Sequence, residues 1–144
     1  MIAMNSNYLH SEITGLILKA FYNVYNSLGY GFLEKVYENA LVIELKKLDL
    51  KCEQQKAIEV FYDNKVVGIY YADLVVNDVV IIELKAAEAL CKSNEAQLVN
   101  YLRASKIEVG VLLNFGKEPQ HKKRVLTAEN KRKNVDLIGL FKTN

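Results

Sequence analysis

The sequence predicts an α/β (α+β) fold, a single domain on a mixed central sheet of about four strands flanked by helices. Three observations predict it. The chain has 144 residues, 51% hydrophobic and 25% charged, enough for one domain with its own core. The hydrophobic period switches near Cys52, from spacings of three and four to runs rich in β-branched and aromatic residues. The resulting order is helix, helix, three strands, helix, strand. That order calls for an antiparallel meander, then a helical crossover to a further strand.

The first helix is expected over residues 12–28, where Ile13, Leu16, Ile17, Ala20, Phe21, Val24 and Leu28 make one apolar stripe. Gly29-Tyr30-Gly31 stops it. The second is expected from about Leu33 to Leu48, with Val36, Tyr37, Ala40, Leu41 and Leu45 on its face. Ile58-Glu59-Val60-Phe61-Tyr62 alternates as a strand, and Asp63-Asn64-Lys65 has turn chemistry. Val66 to Val76 and Val79 to Lys85 read as the second and third strands, joined at Asn77-Asp78. Both are apolar on two faces, as central, doubly covered strands are. Ser93 and Asn94 suit the cap of a helix from about Glu95 to Ser105. Val109 to Phe115 is the fourth strand, and Val125-Leu126-Thr127 would add an edge strand. The domain is expected over residues 1–128, with a basic C-terminal extension over 129–144.

Several classes fall away. No apolar run approaches the ~20 residues of a membrane-spanning helix, and the N-terminus lacks the pattern of a secretory signal. Cys52 and Cys91 form no CxxC pair, and His10 and His121 match no zinc spacing. A reducing, cytoplasmic setting is the expectation. Gly29 and Gly31 do not make a dinucleotide loop, because position 34 is Glu and the segment joins two helices.

Chemistry concentrates in Asp73, Glu83 and Lys85, three charges inside otherwise apolar strands. Buried charges need partners or a metal. Two carboxylates with no His or Cys beside them favour Mg²⁺ or Mn²⁺. The plainer reading is an acid–lysine pair that holds sheet register. Register separates the two. A strict two-residue loop at Asn77-Asp78 would set Asp73 opposite Ile82, with Asp73 and Glu83 on opposite faces. A three-residue loop, or a bulge near Asp73, would bring the acids together. A second constellation is Gln97 and Tyr101, one turn apart on the third helix, against the plainer reading of a polar flank. Glu34 in Gly31-Phe32-Leu33-Glu34-Lys35-Val36-Tyr37 is, from spacing alone, better explained as a first-turn acid on the helix dipole.

Gly31-x-x-Glu34-x-x-Tyr37, Ala72-Asp73-Leu74, Glu83-Leu84-Lys85, Gln97-Leu98-x-Asn100-Tyr101-Leu102 and Leu113-Asn114-Phe115-Gly116 together resemble the GxxExxY proteins of the PD-(D/E)xK nuclease-like superfamily. The resemblance runs from about Ile13 to Leu126. It implies a restriction-endonuclease-like core with its site on the central hairpin. It implies that Asp73 and Glu83 bind the metal, that Lys85 assists the attacking water, and that Glu34 joins as a third acid. Gln97 and Tyr101, with Tyr37, are implied as supporting or substrate-binding residues. Ala72 departs from the proline of the superfamily name.

The function expected on this basis is metal-dependent hydrolysis of phosphodiester bonds in DNA or RNA, by an endo- or exonuclease. The alternative is a non-catalytic nucleic-acid-binding or protein-interaction module on the same fold. Small nucleases of this fold often dimerise, so a homodimer is a candidate assembly, with Tyr22, Tyr25, Tyr30 and Tyr62 as interface candidates. The overall charge of +2 conceals an asymmetry. Up to Gly116 there are 11 basic and 14 acidic residues, a net −3; beyond it there are 8 and 3, a net +5. Lys122, Lys123, Arg124, Lys131, Arg132 and Lys133 are the candidate contacts to a phosphate backbone, against the plainer reading of a solvated tail.

Overall fold

Five strands form one sheet in the order β1-β2-β3-β4-β5. They are β1 (Cys52–Tyr62), β2 (Lys65–Val76), β3 (Val80–Lys85), β4 (Val109–Phe115) and β5 (Pro119–Val125), joined by α1 (Ser11–Leu28), α2 (Glu34–Lys47) and α3 (Lys92–Ala104). The structure is a computed structural model and describes residues 8–131. Arg132 and Lys133 lie outside the described residues. All neighbours pair antiparallel except β3 and β4, which are parallel and connected through α3. This is the expected meander plus crossover, with one strand more.

The sheet separates two apolar layers. On one face α1 and α2 bring Ile17, Phe21, Tyr37, Leu41 and Leu45 against Leu74, Val76, Ile82, Leu84, Leu113 and Phe115. On the other, α3 sets Leu98, Tyr101 and Leu102 against Val75, Ile81 and Leu112. Gly110 permits the close approach of α3, since a Cβ there would lie 2.6 Å from a Leu98 methyl. Every residue of β4 is buried, as a central strand covered on both faces must be.

Three expectations need correction. β2 is central only near its end. β3 has six residues and pairs with β2 only at Leu74, Val75 and Val76. The earlier part of β2 therefore has β1 as its sheet neighbour and leaves the sheet as an exposed hairpin arm, with Phe61, Val67 and Tyr71 more than half exposed. The edge strand lies at Pro119–Val125, ahead of the expected Val125-Leu126-Thr127. It pairs through its backbone and carries His and Lys, the charge that protects an edge, so no apolar alternation marks it. Finally, α3 begins at Lys92. Asn94 accepts the Cys91 N–H at 3.0 Å, closing the first turn from inside the helix instead of capping it from outside.

Gly29 and Gly31 take positive φ (67° and 112°), which ends α1 and turns the chain into α2. Tyr37 locks that turn. Its hydroxyl donates to the Gly29 carbonyl (2.7 Å) and accepts the Phe32 N–H (3.2 Å), while its ring stacks on Phe115 at 4.3 Å. The Gly-x-x-Glu-x-x-Tyr spacing thus serves the architecture at both of its outer positions.

Candidate active site

The β2–β3 turn decides where the acids fall. Val76 pairs with Val80, so Asn77, Asp78 and Val79 form a three-residue loop. Asn77 and Asp78 both have positive φ, and the Asn77 side chain accepts the Lys51 N–H at 2.8 Å. The ladder runs through Val75↔Ile81 to Leu74↔Ile82 and stops. In that register the next opposed residues are Asp73 and Glu83.

Where the backbone ladder ends, the two carboxylates take over its bonds. Glu83 Oε1 accepts the Asp73 N–H at 3.1 Å, and Asp73 Oδ2 accepts the Leu84 N–H at 2.8 Å. The other edge of β2 is also irregular. Gln55 has φ 51°, and the β1–β2 ladder passes from Gln54↔Leu74 to Lys56↔Ala72 without it. Cys52 and Leu74 pack on the α1–α2 side, whereas Ile58 and Ala72, of the same strand parity, pack on the α3 side. The hairpin therefore changes face at Gln55 and Asp73 with no residue inserted, since the register is the same on either side and shifts at Val60/Phe61 instead. Of the two devices that would bring the acids together, the longer loop is present, and the β1–β2 ladder keeps one register past Asp73 with no bulge there.

Glu83 is 5% exposed. Burial, then the adjacent Asp73 carboxylate, pushes its acid up to about 8 from the usual 4.5. The Asp73 backbone N–H and the Lys85 ammonium oppose this without cancelling it. Lys85 is two residues further along β3, on the same face as Glu83 and half-buried. It makes no hydrogen bond or ion pair among the described residues. Tyr101 is buried across from the acids. Its phenol is raised by burial and then by Glu83, and its hydroxyl accepts from Gln97 Nε2 at 2.8 Å.

Two repelling carboxylates in a buried gap are the electrostatics of a cation site, and oxygen donors alone suit a hard divalent ion. Among the described residues no third Asp, Glu, His or Cys completes a cage.

The helix acids divide differently from the expectation. Glu34 is exposed in the first turn of α2 and makes no hydrogen bond or ion pair among the described residues. Glu38, one turn on, is 3% exposed and reaches the site through Gln55. Gln55 Nε2 donates to Glu38 Oε1 at 2.8 Å and to Asp73 Oδ1 at 3.3 Å. Gln54 and Lys35 also donate to Glu38. Nothing local in the sequence marks Glu38 or Gln55, because their contact spans two elements. Asn114 carried a readable signal as the polar residue in an apolar strand. It is fully buried and clamps the Ala87 backbone from both sides, accepting its N–H and donating to its carbonyl, each at 2.9 Å. Gly116 lies against the same carbonyl, where a Cβ would approach to 2.2 Å. Together they fix the segment leaving Lys85.

The basic residues on β5 point to both faces. Lys122 and Arg124 meet Glu95 of α3. Lys123 donates to the Leu9 carbonyl at 2.9 Å beneath α1, and Lys131 donates to the Ser105 and Ile107 carbonyls at 2.9 and 2.6 Å. Four of the six candidate phosphate contacts thus have partners within the fold, two at the Glu95 carboxylate and two at backbone carbonyls.

The sequence profile of the PD-(D/E)XK nuclease superfamily matches residues 11–126. The crystal structure of SSO0001 superposes with a TM-score of 0.50 at 21% identity, covering 93% of this chain and 69% of that one. At that identity the likeness is one of fold. No curated protein matches the sequence at a significant level. Among the described residues, no helix is long and apolar enough to cross a membrane.

Proposed function

The chain belongs to the PD-(D/E)XK nuclease superfamily, and from that premise we propose that it is a metal-dependent nuclease acting on DNA or RNA. The Gly31, Glu34 and Tyr37 spacing supports a place among the GxxExxY proteins. The observation that carries the functional reading is the convergence of the Asp73 and Glu83 carboxylates in the gap between β2 and β3, with Lys85 two residues on.

Asp73 and Glu83 would hold Mg²⁺ or Mn²⁺. When bound, such a cation supplies Lewis-acid stabilisation of the charge developing on the phosphoryl oxygens. Asp73 is held for this role by the Leu84 N–H and by Gln55, and Glu83 by the Asp73 N–H. Lys85 is a donor only, so it orients the attacking water and stabilises negative charge beside it. Tyr101 accepts from Gln97, which leaves its own proton to donate to a phosphate oxygen. Of the helix acids, Glu38 is the better supporting residue because Gln55 links it to Asp73. Lys122, Arg124 and the following Arg132 and Lys133 contribute to backbone attraction.

The test is cleavage of single-stranded and duplex DNA and RNA with Mg²⁺ or Mn²⁺, beside Asp73→Ala and Lys85→Ala. The expected outcome is metal-dependent turnover that falls at least ~100-fold in each variant. Absence of metal-dependent cleavage, or activity in both variants equal to the parent's, overturns the reading in favour of a non-catalytic module.

A further inference from the structure

The exposed β1–β2 arm and the end of α3 flank an open cavity of about 490 Å³ lined by Val60, Phe61, Tyr70, Asn100, Arg103 and Ala104. It borders the candidate active site. The Tyr70 ring lies 5.3 Å from the Tyr101 ring, and Tyr101 in turn feels the Glu83 and Asp73 carboxylates. Tyr70 precedes Asp73 by three residues, about 10 Å of strand.

The lining combines two kinds of group. Phe61 and Tyr70 are aromatic and largely exposed, at 61% and 48%. A folded domain leaves such rings uncovered at a cost, and Val67 and Tyr71 add further exposed apolar surface on the same arm. Arg103 is exposed at the cavity wall and makes no ion pair among the described residues. Rings offer faces to flat apolar groups, and a guanidinium offers a fork to a phosphate. A flat base and a phosphate occur together in every nucleotide of an unpaired strand, whereas in a duplex the base faces are already stacked.

We infer that this cavity is a base-stacking subsite that selects single-stranded nucleic acid and leads it to the acid pair. The inference rests on the nuclease reading and deepens it by naming the substrate form. A base lies against Phe61 and Tyr70, Arg103 takes an adjoining phosphate, and the backbone continues past Tyr101 toward Asp73 and Glu83. Stacking is tolerant of sequence, so the subsite discriminates strandedness and not base identity.

The full chain is titrated with fluorescein-labelled single-stranded 12-mers of DNA and of RNA and with a duplex 12-mer, in EDTA so that nothing turns over. Binding of the single strands at least tenfold tighter than the duplex is expected. Phe61→Ala and Tyr70→Ala each weaken single-strand binding about tenfold, Tyr70→Phe retains it, and Arg103→Gln flattens its salt dependence. Phe61 and Arg103 are exposed, and an unchanged unfolding midpoint certifies each variant. The inference is overturned if the duplex binds as tightly as the single strands, or if Phe61→Ala and Tyr70→Ala bind like the parent. It is also overturned if light scattering finds a dimer that Phe61→Ala dissolves, since the arm is then an interface between copies. Because binding is read without metal, a chain that binds this way yet never cleaves defeats the nuclease reading alone. Cleavage that is indifferent to Phe61 and Tyr70 defeats the subsite alone.

Discussion

Glu83 illustrates how one buried group couples the site to stability. Its acid is raised to about 8 by burial and by Asp73. Below the ordinary carboxyl range the group is protonated in both folded and unfolded chains and has no effect. As pH rises from about 4.5 to about 8, the unfolded chain releases this proton while the folded chain keeps it. Stability therefore falls across that window, by about 1.4 kcal/mol per pH unit at most, and levels off above it. Unfolding midpoints measured from pH 4 to 9 should show this slope, and Glu83→Gln should flatten it. Addition of Mn²⁺ at pH 8 should raise the midpoint of the parent and leave Glu83→Gln unmoved. Tyr37 is the contrasting residue, placed by structure alone. Tyr37→Phe loses the bond to the Gly29 carbonyl and leaves the Phe32 N–H without its acceptor. A loss of about 1–3 kcal/mol in denaturant unfolding is expected.

At the scale of elements, the β2–β3 hairpin is the decisive piece. Its three-residue loop sets Asp73 across from Glu83, and a single-residue slip would send one of them to the other face. Deleting Asp78 should therefore abolish the Mn²⁺-dependent rise in midpoint and lower the midpoint itself, as read by thermal unfolding. The segment after β3 depends on β4. Asn114→Ala strands both Ala87 backbone groups, and a destabilisation of about 1–3 kcal/mol is expected from the same measurement. The helices contribute unequally. The stripe of α1 was plain in its spacing because a helix buried on one face must repeat every three to four residues. The start of α3 lies three residues ahead of where the sequence pattern puts it, because Asn94 closes the turn from within and from sequence looks like a cap.

Over the whole molecule, charge is divided between an acidic body and a basic end, and the fold employs part of that basic end. Lys131 anchors the chain to the carbonyls at the end of α3 and the approach to β4. Two truncations separate the duties. Ending the chain after Lys131 removes Arg132 and Lys133, and should weaken nucleic-acid binding and flatten its salt dependence. Ending it after Ala128 should in addition lower the unfolding midpoint. Titrations at several salt concentrations, beside thermal unfolding, check both.

The sequence by itself determined the element order, the mixed sheet, and which acids and lysine stand inside apolar strands. Each of these follows from local periodicity or from the isolation of a charge among apolar neighbours. It also posed the register question sharply, since parity alone shows what a two-residue loop would do to Asp73 and Glu83. Tertiary structure decided the answer, because loop geometry depends on the Asn77 side chain meeting Lys51 in the connection between α2 and β1. It likewise brought in Glu38 through Gln55, clamped Ala87 with Asn114, and drew Lys123 and Lys131 inward. Those contacts join residues far apart in the chain, and no pattern within a single element encodes which distant partner a polar side chain will meet.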